Sequence, residues 1–333
     1  MPLISQFTKE QEDKMLHSEK LNFDDLLERA ENLPGGELSE STWEGYQSDF
    51  RVFTAYCNIW ERDALPASVE TVEAYLKALQ EKGRCVDTII HHKNAIHKFH
   101  AINNMASPAD TPKIKLLIKK LRREFGTKPK RKHALTTEEV TRMVVNLPDT
   151  LISKRNKAFI LVGFAGAMRR SEISNLEFED IAPTDDGIKI TIRKAKTDTT
   201  GEGQTVYIPW GTHKETCPIR ALFDWLTLSG VKTGPIFRSL APSPFGYTIT
   251  KRGISGATIA RIIKELAETV GIDPQNVAGH SLRRGCATEA AKSGASLIRV
   301  SRHLRHKNTD TTQGYIDDVN SFDENNPVHK LGL

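Results

Sequence analysis

Residues 113–133 read KIKLLIKKLRREFGTKPKRKH. Ile114, Leu117, Ile118 and Leu121 recur at helical spacing, so the first half is a helix with one core face and one basic face. The second half holds Gly126, Pro129 and no apolar periodicity, and reads as an extended linker. Ten cations stand against the single acid Glu124, a net of +9 in 21 residues. A basic helix feeding a basic linker suits a chain that follows a phosphate backbone, because each cation brought to DNA releases condensed counterions. Lys119, Lys120, Arg122 and Arg123 on the helix, and Lys128, Lys130, Arg131 and Lys132 on the linker, are the expected phosphate contacts. The alternatives are a solvated helix face and, for Lys128–Lys132, a nuclear-import signal.

Outward from this stretch lie a helical block, 37–126, and a mixed block, 134–333, with the linker at 127–133 between them. In the first block Ser39 and Ser41-Thr42 offer N-caps, and Trp43, Tyr46, Phe50, Phe53 and Cys57 follow every three to four residues. Ser68 opens a second helix with Val69, Val72, Leu76 and Leu79 on one side. Thr88–Ile102 forms a third, whose polar side is expected to carry Lys93, His97, Lys98 and His100, with Lys93 and Lys98 as candidate DNA contacts. The cluster His91, His92, His97 and His100 shows no carboxylate or cysteine partner for a metal, and a polar, DNA-facing helix surface explains it equally well. The set is a small helical bundle.

In the second block Thr136-Thr137-Glu138-Glu139 resembles a capping box that opens a helix. Lys157–Met168 is almost wholly apolar and belongs in a core. Ile188–Arg193 alternates strictly and Thr205–Pro209 follows, so the pair predicts a β-hairpin or small sheet. Further helices are expected at Cys217–Ser229, Ala257–Val270, Leu282–Ser293 and Ser296–His303. Residues 1–36 carry four bases and eight acids and are expected to form a flexible arm.

The bulk numbers exclude more than they identify. The chain has 333 residues, with Lys+Arg 47 against Asp+Glu 42, a net of +5. That length suggests two domains. No window approaches the ~18 apolar residues of a membrane span. The first residues lack a secretory pattern. The four cysteines form no CxxC pair, against a disulfide scaffold or a cysteine-based zinc site. Neither phosphate-cradling glycine motif is present, so nucleotide-driven chemistry gains no support.

Short features then occur in a fixed order. They are Arg169-Arg170-Ser171-Glu172, Lys196 within Lys194-Ala195-Lys196-Thr197, and His280-Ser281-Leu282-Arg283. His306 follows in Leu304-Arg305-His306-Lys307, and Tyr315 lies nine residues later. Each alone is weak, since an Arg-x-x-Glu is usually a surface ion pair. Together, over roughly 39–320, they resemble the tyrosine recombinase (phage integrase) family, and most closely its Cre-type members. Ser39-Glu40-Ser41-Thr42-Trp43, Leu228-Ser229-Gly230-Val231 and Ala278-Gly279-His280-Ser281 carry the same resemblance.

The resemblance implies a mainly α fold, a two-domain C-shaped DNA clamp. A helical-bundle core-binding domain (37–126) and a mainly helical catalytic domain with a small antiparallel β-sheet (134–333) would enclose duplex DNA. A segment at about 319–333 would dock on a neighbouring subunit. The implied activity is site-specific recombination through a 3′-phosphotyrosyl intermediate and a four-way junction. It would be performed by a homotetramer on two DNA sites with inverted repeats, without cofactor, metal or ATP, in the cytoplasm at the nucleoid. The alternatives are a type IB topoisomerase-like relaxing enzyme and a catalytically silent DNA-binding protein of the same fold.

By the same resemblance Tyr315 is the nucleophile. Arg169 and Arg283 hold the non-bridging phosphate oxygens, a task that planar bidentate donors perform better than a point charge. His280 accepts the tyrosine proton or positions the phosphate, and Lys196 is the general acid for the leaving 5′ oxygen. His306 donates a hydrogen bond to the phosphate, and Glu172 holds Arg or His in place. Lys251, Arg252 and Arg261 surround a helix that enters the major groove in Cre-type proteins. Many members have glycine where this chain has Arg305, which is either tolerated or an added phosphate contact.

Overall fold

The computed structural model describes residues 28–29, 38–126, 132–193, 203–244, 246–306, 308–309 and 312–314. The chain divides into two compact units, Met1–Arg131 and Lys132–Leu333. Among the described residues no helix is long and apolar enough to cross a membrane.

The first unit contains α1 (Glu40–Ile59), α2 (Val69–Glu81), α3 (Val86–Ile102) and α4 (Pro112–Phe125). Ser39 caps α1 by accepting the Thr42 N–H at 3.3 Å, and Ser68 caps α2 by accepting that of Thr71 at 3.1 Å. The α1 stripe is buried against α3, where Phe50 stacks on Phe99 with ring centroids 4.0 Å apart. On α4, Ile114, Ile118 and Leu121 are buried and the cations lie exposed on the other faces. Lys113 pairs with Glu73 at 2.7 Å and Lys115 with Asp110 at 3.1 Å, while Lys120 is 3.8 Å from Glu124. Among the described residues no ion pair engages Lys119, Arg122 or Arg123.

Two α3 histidines depart from the expected polar face. His100 is fully buried: its Nε2 accepts the Ala67 N–H at 2.9 Å and its Nδ1 donates to Ile96 O at 2.8 Å. His92 is buried too, with Nδ1 2.9 Å from the Tyr75 hydroxyl and Nε2 3.5 Å from Asp49. Both satisfy polar atoms inside the bundle, which a helical period cannot distinguish from a solvated face. Among the described residues no group of three potential ligands could hold a metal ion.

The second unit contains α5 (Thr137–Val145), α6 (Leu151–Ala165), α7 (Arg170–Ser174), α8 (Pro218–Ser229), α9 (Gly256–Thr269), α10 (Ser281–Lys292) and α11 (Leu297–Leu304). Strands β1 (Ile181–Thr184), β2 (Gly187–Ile192) and β3 (Gln204–Pro209) form an antiparallel sheet in that order, with Ile190 opposite Val206. Strands β4 (Arg238–Ser243) and β5 (Gly246–Gly253) form a separate antiparallel ribbon. Thr136 and Glu139 complete a reciprocal capping box at α5. Helix α6 is the central element, packed between α8 and α10. It starts earlier than its apolar run because Thr150 accepts the Ser153 N–H, capping a first turn that polar residues 153–157 separate from that run.

A strap at 132–135 fixes the start of α10. Lys132 Nζ donates to Gln275 O at 2.7 Å, and the His133 N–H donates to Asn276 O at 2.7 Å. Arg284 Nη1 donates to Lys132 O at 2.6 Å. Gly285 permits the crossing, since a Cβ there would meet Leu135 O at 1.9 Å. Lys132 and His133, read in sequence as the end of the linker, thus hold the loop that carries His280.

Candidate active site

The site is built on the C-terminus of α6. The last carbonyls of a helix have no helical N–H partners and carry its negative pole. Here cationic and imidazole side chains from α10 and the α11 region meet the carbonyl of Ala165 and those of Gly166 and Ala167 just beyond it. His303 Nε2 donates to Ala165 O at 2.7 Å, and Arg305 Nη1 to Gly166 O at 3.0 Å. Ala167 O accepts from Arg283 Nη1 at 2.7 Å and from Arg305 Nη2 at 3.0 Å. Arg283 Nη2 also donates to Leu304 O, tying α10 to the end of α11.

Glu172 is the hub. Its side chain is 2% exposed, on the short helix α7. Oε1 accepts from Arg169 Nη1 at 2.5 Å, and Oε2 accepts from the Arg169 N–H at 2.9 Å and from Arg305 Nη2 at 2.8 Å. Burial alone would raise the Glu172 carboxyl. Arg305 first, and then Arg169, more than reverse that and hold it below the usual glutamate range. Two guanidiniums on one carboxylate, with Arg283 sharing the Ala167 carbonyl with Arg305, leave a surplus of positive charge.

His280 stands at the N-terminus of α10 and His306 just beyond α11. The His280 ring reaches solvent at one side, but lost hydration elsewhere, then Arg283 and Arg169, lower its pKa. His306 is pushed down to about 4 by lost hydration, then by Arg283, Arg169 and His280. Both shifts favour the neutral imidazole. His306 Nδ1 lies 2.7 Å from the hydroxyl of Thr312, which is fully buried. When Thr312 donates in that bond, Nε2 carries the imidazole proton and becomes the donor.

The His306 shift has a consequence for stability. A histidine whose folded pKa is depressed takes up protons more readily in the unfolded chain. Its contribution is present above the unfolded value of roughly 6.5 and is lost as pH falls toward 4. In denaturant titrations, the stability gap between wild type and His306→Gln is expected to shrink from about pH 7 to about pH 4.5. A gap independent of pH would contradict the shift.

Arg169, Glu172, His280, Arg283 and His306 are thus brought together from three separated segments, as their mutual electrostatic influence records. Arg283 lies fully buried beneath the group, with Nη1 on Ala167 O and Nη2 on Leu304 O, which leaves it to act through its charge and not by the direct phosphate contact that the resemblance implied. Lys196 and Tyr315 lie outside the described residues, as do Lys128, Lys130 and Arg131. Lys93 and Lys98 are half-buried on α3. Arg252 is exposed on β5, and Arg261 is exposed on α9, where it pairs with Glu265 at 2.5 Å. Sequence reasoning missed His303, Thr312 and the placement of Arg305. Arg305 does not face a phosphate: its guanidinium is buried against Glu172 and the carbonyls just past α6. The available signal was its position, where a glycine commonly ends a helix.

Residues 133–321 match the phage integrase family. The chain belongs to this family. It is 32% identical over 292 residues to the integrase/recombinase xerD homolog of Selenomonas ruminantium, covering 86% of this chain and 84% of the relative. To the recombinase cre of Escherichia phage P1 it is 28% identical over 301 residues, covering 85% and 86%. Among solved structures, the XerH site-specific recombinase bound to palindromic difH substrate superposes with a TM-score of 0.60 at 14% identity, covering 100% of this chain and 91% of that one. The Tn1549 transposon integrase bound to transposon right end DNA gives 0.59 at 14% identity, covering 93% and 98%. These structures share the fold of this integrase-family chain, while the two sequence relatives extend the match across both of its units.

Proposed function

We infer that this integrase-family protein is a tyrosine-type site-specific DNA recombinase. The reading is carried by the convergence of Arg169, His280, Arg283 and His306 around Glu172, with net positive charge and two neutral imidazoles. A phosphodiester resists attack because it is already anionic, and positioned guanidiniums stabilise the further charge of the transition state. Tyr315 Oη would attack phosphorus and pass its proton to neutral His280. The bond from phosphorus to the 5′ oxygen breaks, and Lys196 protonates that oxygen. A 5′-hydroxyl from a partner strand then attacks the 3′-phosphotyrosyl bond and releases the tyrosine. The phosphoester bond energy is retained throughout, so ATP has no step to perform, and the guanidiniums would take the charge-stabilising part that a metal ion plays in many nucleases. Two rounds of exchange on inverted-repeat sites require four protomers and a four-way junction.

Plasmids carrying two copies of the target site test this reading, incubated with the protein and EDTA. The expected result is exchange between the sites, with a junction intermediate. Relaxation of any supercoiled plasmid without exchange would support a topoisomerase-like enzyme instead.

The α4 cations supply a further expectation. Replacing Lys119, Lys120, Arg122 and Arg123 by Ala should lower the slope of log K against log salt by up to about 3.6, or ~0.9 for each phosphate no longer neutralised. An unchanged slope in a DNA-binding titration would remove α4 from the interface.

A further inference from the structure

We infer that Arg305 is a positioning residue of the active site, holding Glu172 and through it Arg169 in the geometry that strand cleavage requires. This rests on the functional reading above. Arg305 itself touches no substrate, since its side chain is 3% exposed.

The backbone comes first. Arg305 closes α11 in the left-handed region, with φ 57° and ψ 44°. Only glycine adopts that conformation at no steric cost. The arginine side chain is buried beneath the C-terminus of α6, where its two terminal nitrogens reach four acceptors. Nη1 donates to Gly166 O at 3.0 Å and His303 O at 2.9 Å. Nη2 donates to Ala167 O at 3.0 Å and Glu172 Oε2 at 2.8 Å. A planar guanidinium can satisfy this fork, whereas a lysine ammonium supplies a single point of charge.

Glu172 is held from two sides as a result. Arg169 engages Oε1 and, through its backbone N–H, Oε2, while Arg305 engages Oε2 from α11. Among the described residues, removing Arg305 leaves the carboxylate held by Arg169 alone, the residue it is meant to orient. Sharing Glu172 between two guanidiniums also leaves Arg169 more of its charge for a phosphate. Residue 305 directly precedes His306, whose N–H donates to Ser301 O at 3.1 Å, so the same turn sets the imidazole. The fork therefore joins α6, α7 and the end of α11 at one point beneath the site.

The test uses the full chain with Arg305→Gly, Arg305→Lys, Glu172→Gln and the double variant R305G/E172Q. Three quantities are read: the single-turnover rate of covalent attachment to DNA, the DNA dissociation constant and the melting midpoint. Arg305→Gly suits the left-handed backbone. It should bind DNA as wild type does and attach on the order of 100-fold more slowly, the scale of a small misplacement of reacting groups. Added methylguanidinium should restore at least ~10-fold of that rate, and the two single losses should combine less than multiplicatively in the double variant.

An attachment rate for Arg305→Gly close to that of wild type overturns the proposal, as do losses that multiply in the double variant. A lowered melting point with no recovery in methylguanidinium assigns Arg305 to the fold alone and also overturns it. If Arg305→Gly does not fold, Arg305→Lys decides. Slow attachment at a wild-type melting point supports positioning, and a wild-type rate refutes it. Absence of attachment by wild type itself would overturn the functional reading, a result visible before any variant is compared.

Discussion

Tyr315→Phe is expected to bind DNA as wild type does and to form no covalent adduct. The substitution removes one oxygen and no charge, so the cations expected to engage phosphates are untouched. That oxygen is the atom that would form the bond to phosphorus. Arg169 and Arg283 would stabilise charge but cannot themselves become the covalent link. The check is SDS-resistant DNA attachment beside a binding titration of both proteins. Persistent attachment in Tyr315→Phe would place the nucleophile elsewhere. Loss of binding together with attachment would mean that residue 315 serves the interface and not the chemistry.

The second large effect is on stability. Glu172→Ala should lower the unfolding free energy by about 3–5 kcal/mol, the range for removing one partner of a buried ion pair. The cause is visible in the geometry, since Glu172 accepts from Arg169 and Arg305 within a site where Arg283 is also buried. Removing the carboxylate leaves buried guanidiniums facing one another in a poorly hydrated space. A melting midpoint roughly 10 °C lower is expected for a unit of this size. Strand cleavage should fall as well, because Arg169 loses the group that orients it. Calorimetry and single-turnover cleavage report the two losses separately. A variant with unchanged melting would show that the Glu172 network stabilises nothing.

Much of this was legible in the sequence where one physical signal dominated. The bundle helices follow from apolar periodicity, and α4 from apolar residues at 114, 118 and 121 among cations. Thr136 and Glu139 announce their capping box, and the alternation at 188–192 announces β2. Strand β1 was not legible because Pro183 and an exposed face interrupt any alternation. The β4–β5 ribbon was missed for a related reason: its residues are half-buried or exposed, so no apolar period marks it.

In the site, the spacing of Arg169 and Glu172 shows that they can pair, but not that the pair is buried. The interior places of Arg305, His92 and His100 depend on hydrogen-bond partners supplied by distant segments. Arg305 meets carbonyls some 138 residues away in sequence, which no local pattern encodes.

The most direct measurement is covalent capture. Wild-type protein is incubated with fragmented DNA from its source and denatured in SDS, and the attached DNA is then sequenced and the linked residue mapped. The expected result is a single inverted-repeat sequence joined through its 3′-phosphate to Tyr315, with a free 5′-hydroxyl on the other side of the break. Attachment through another residue, through a 5′-phosphate, or evenly over all sequences would contradict site-specific recombination by this constellation.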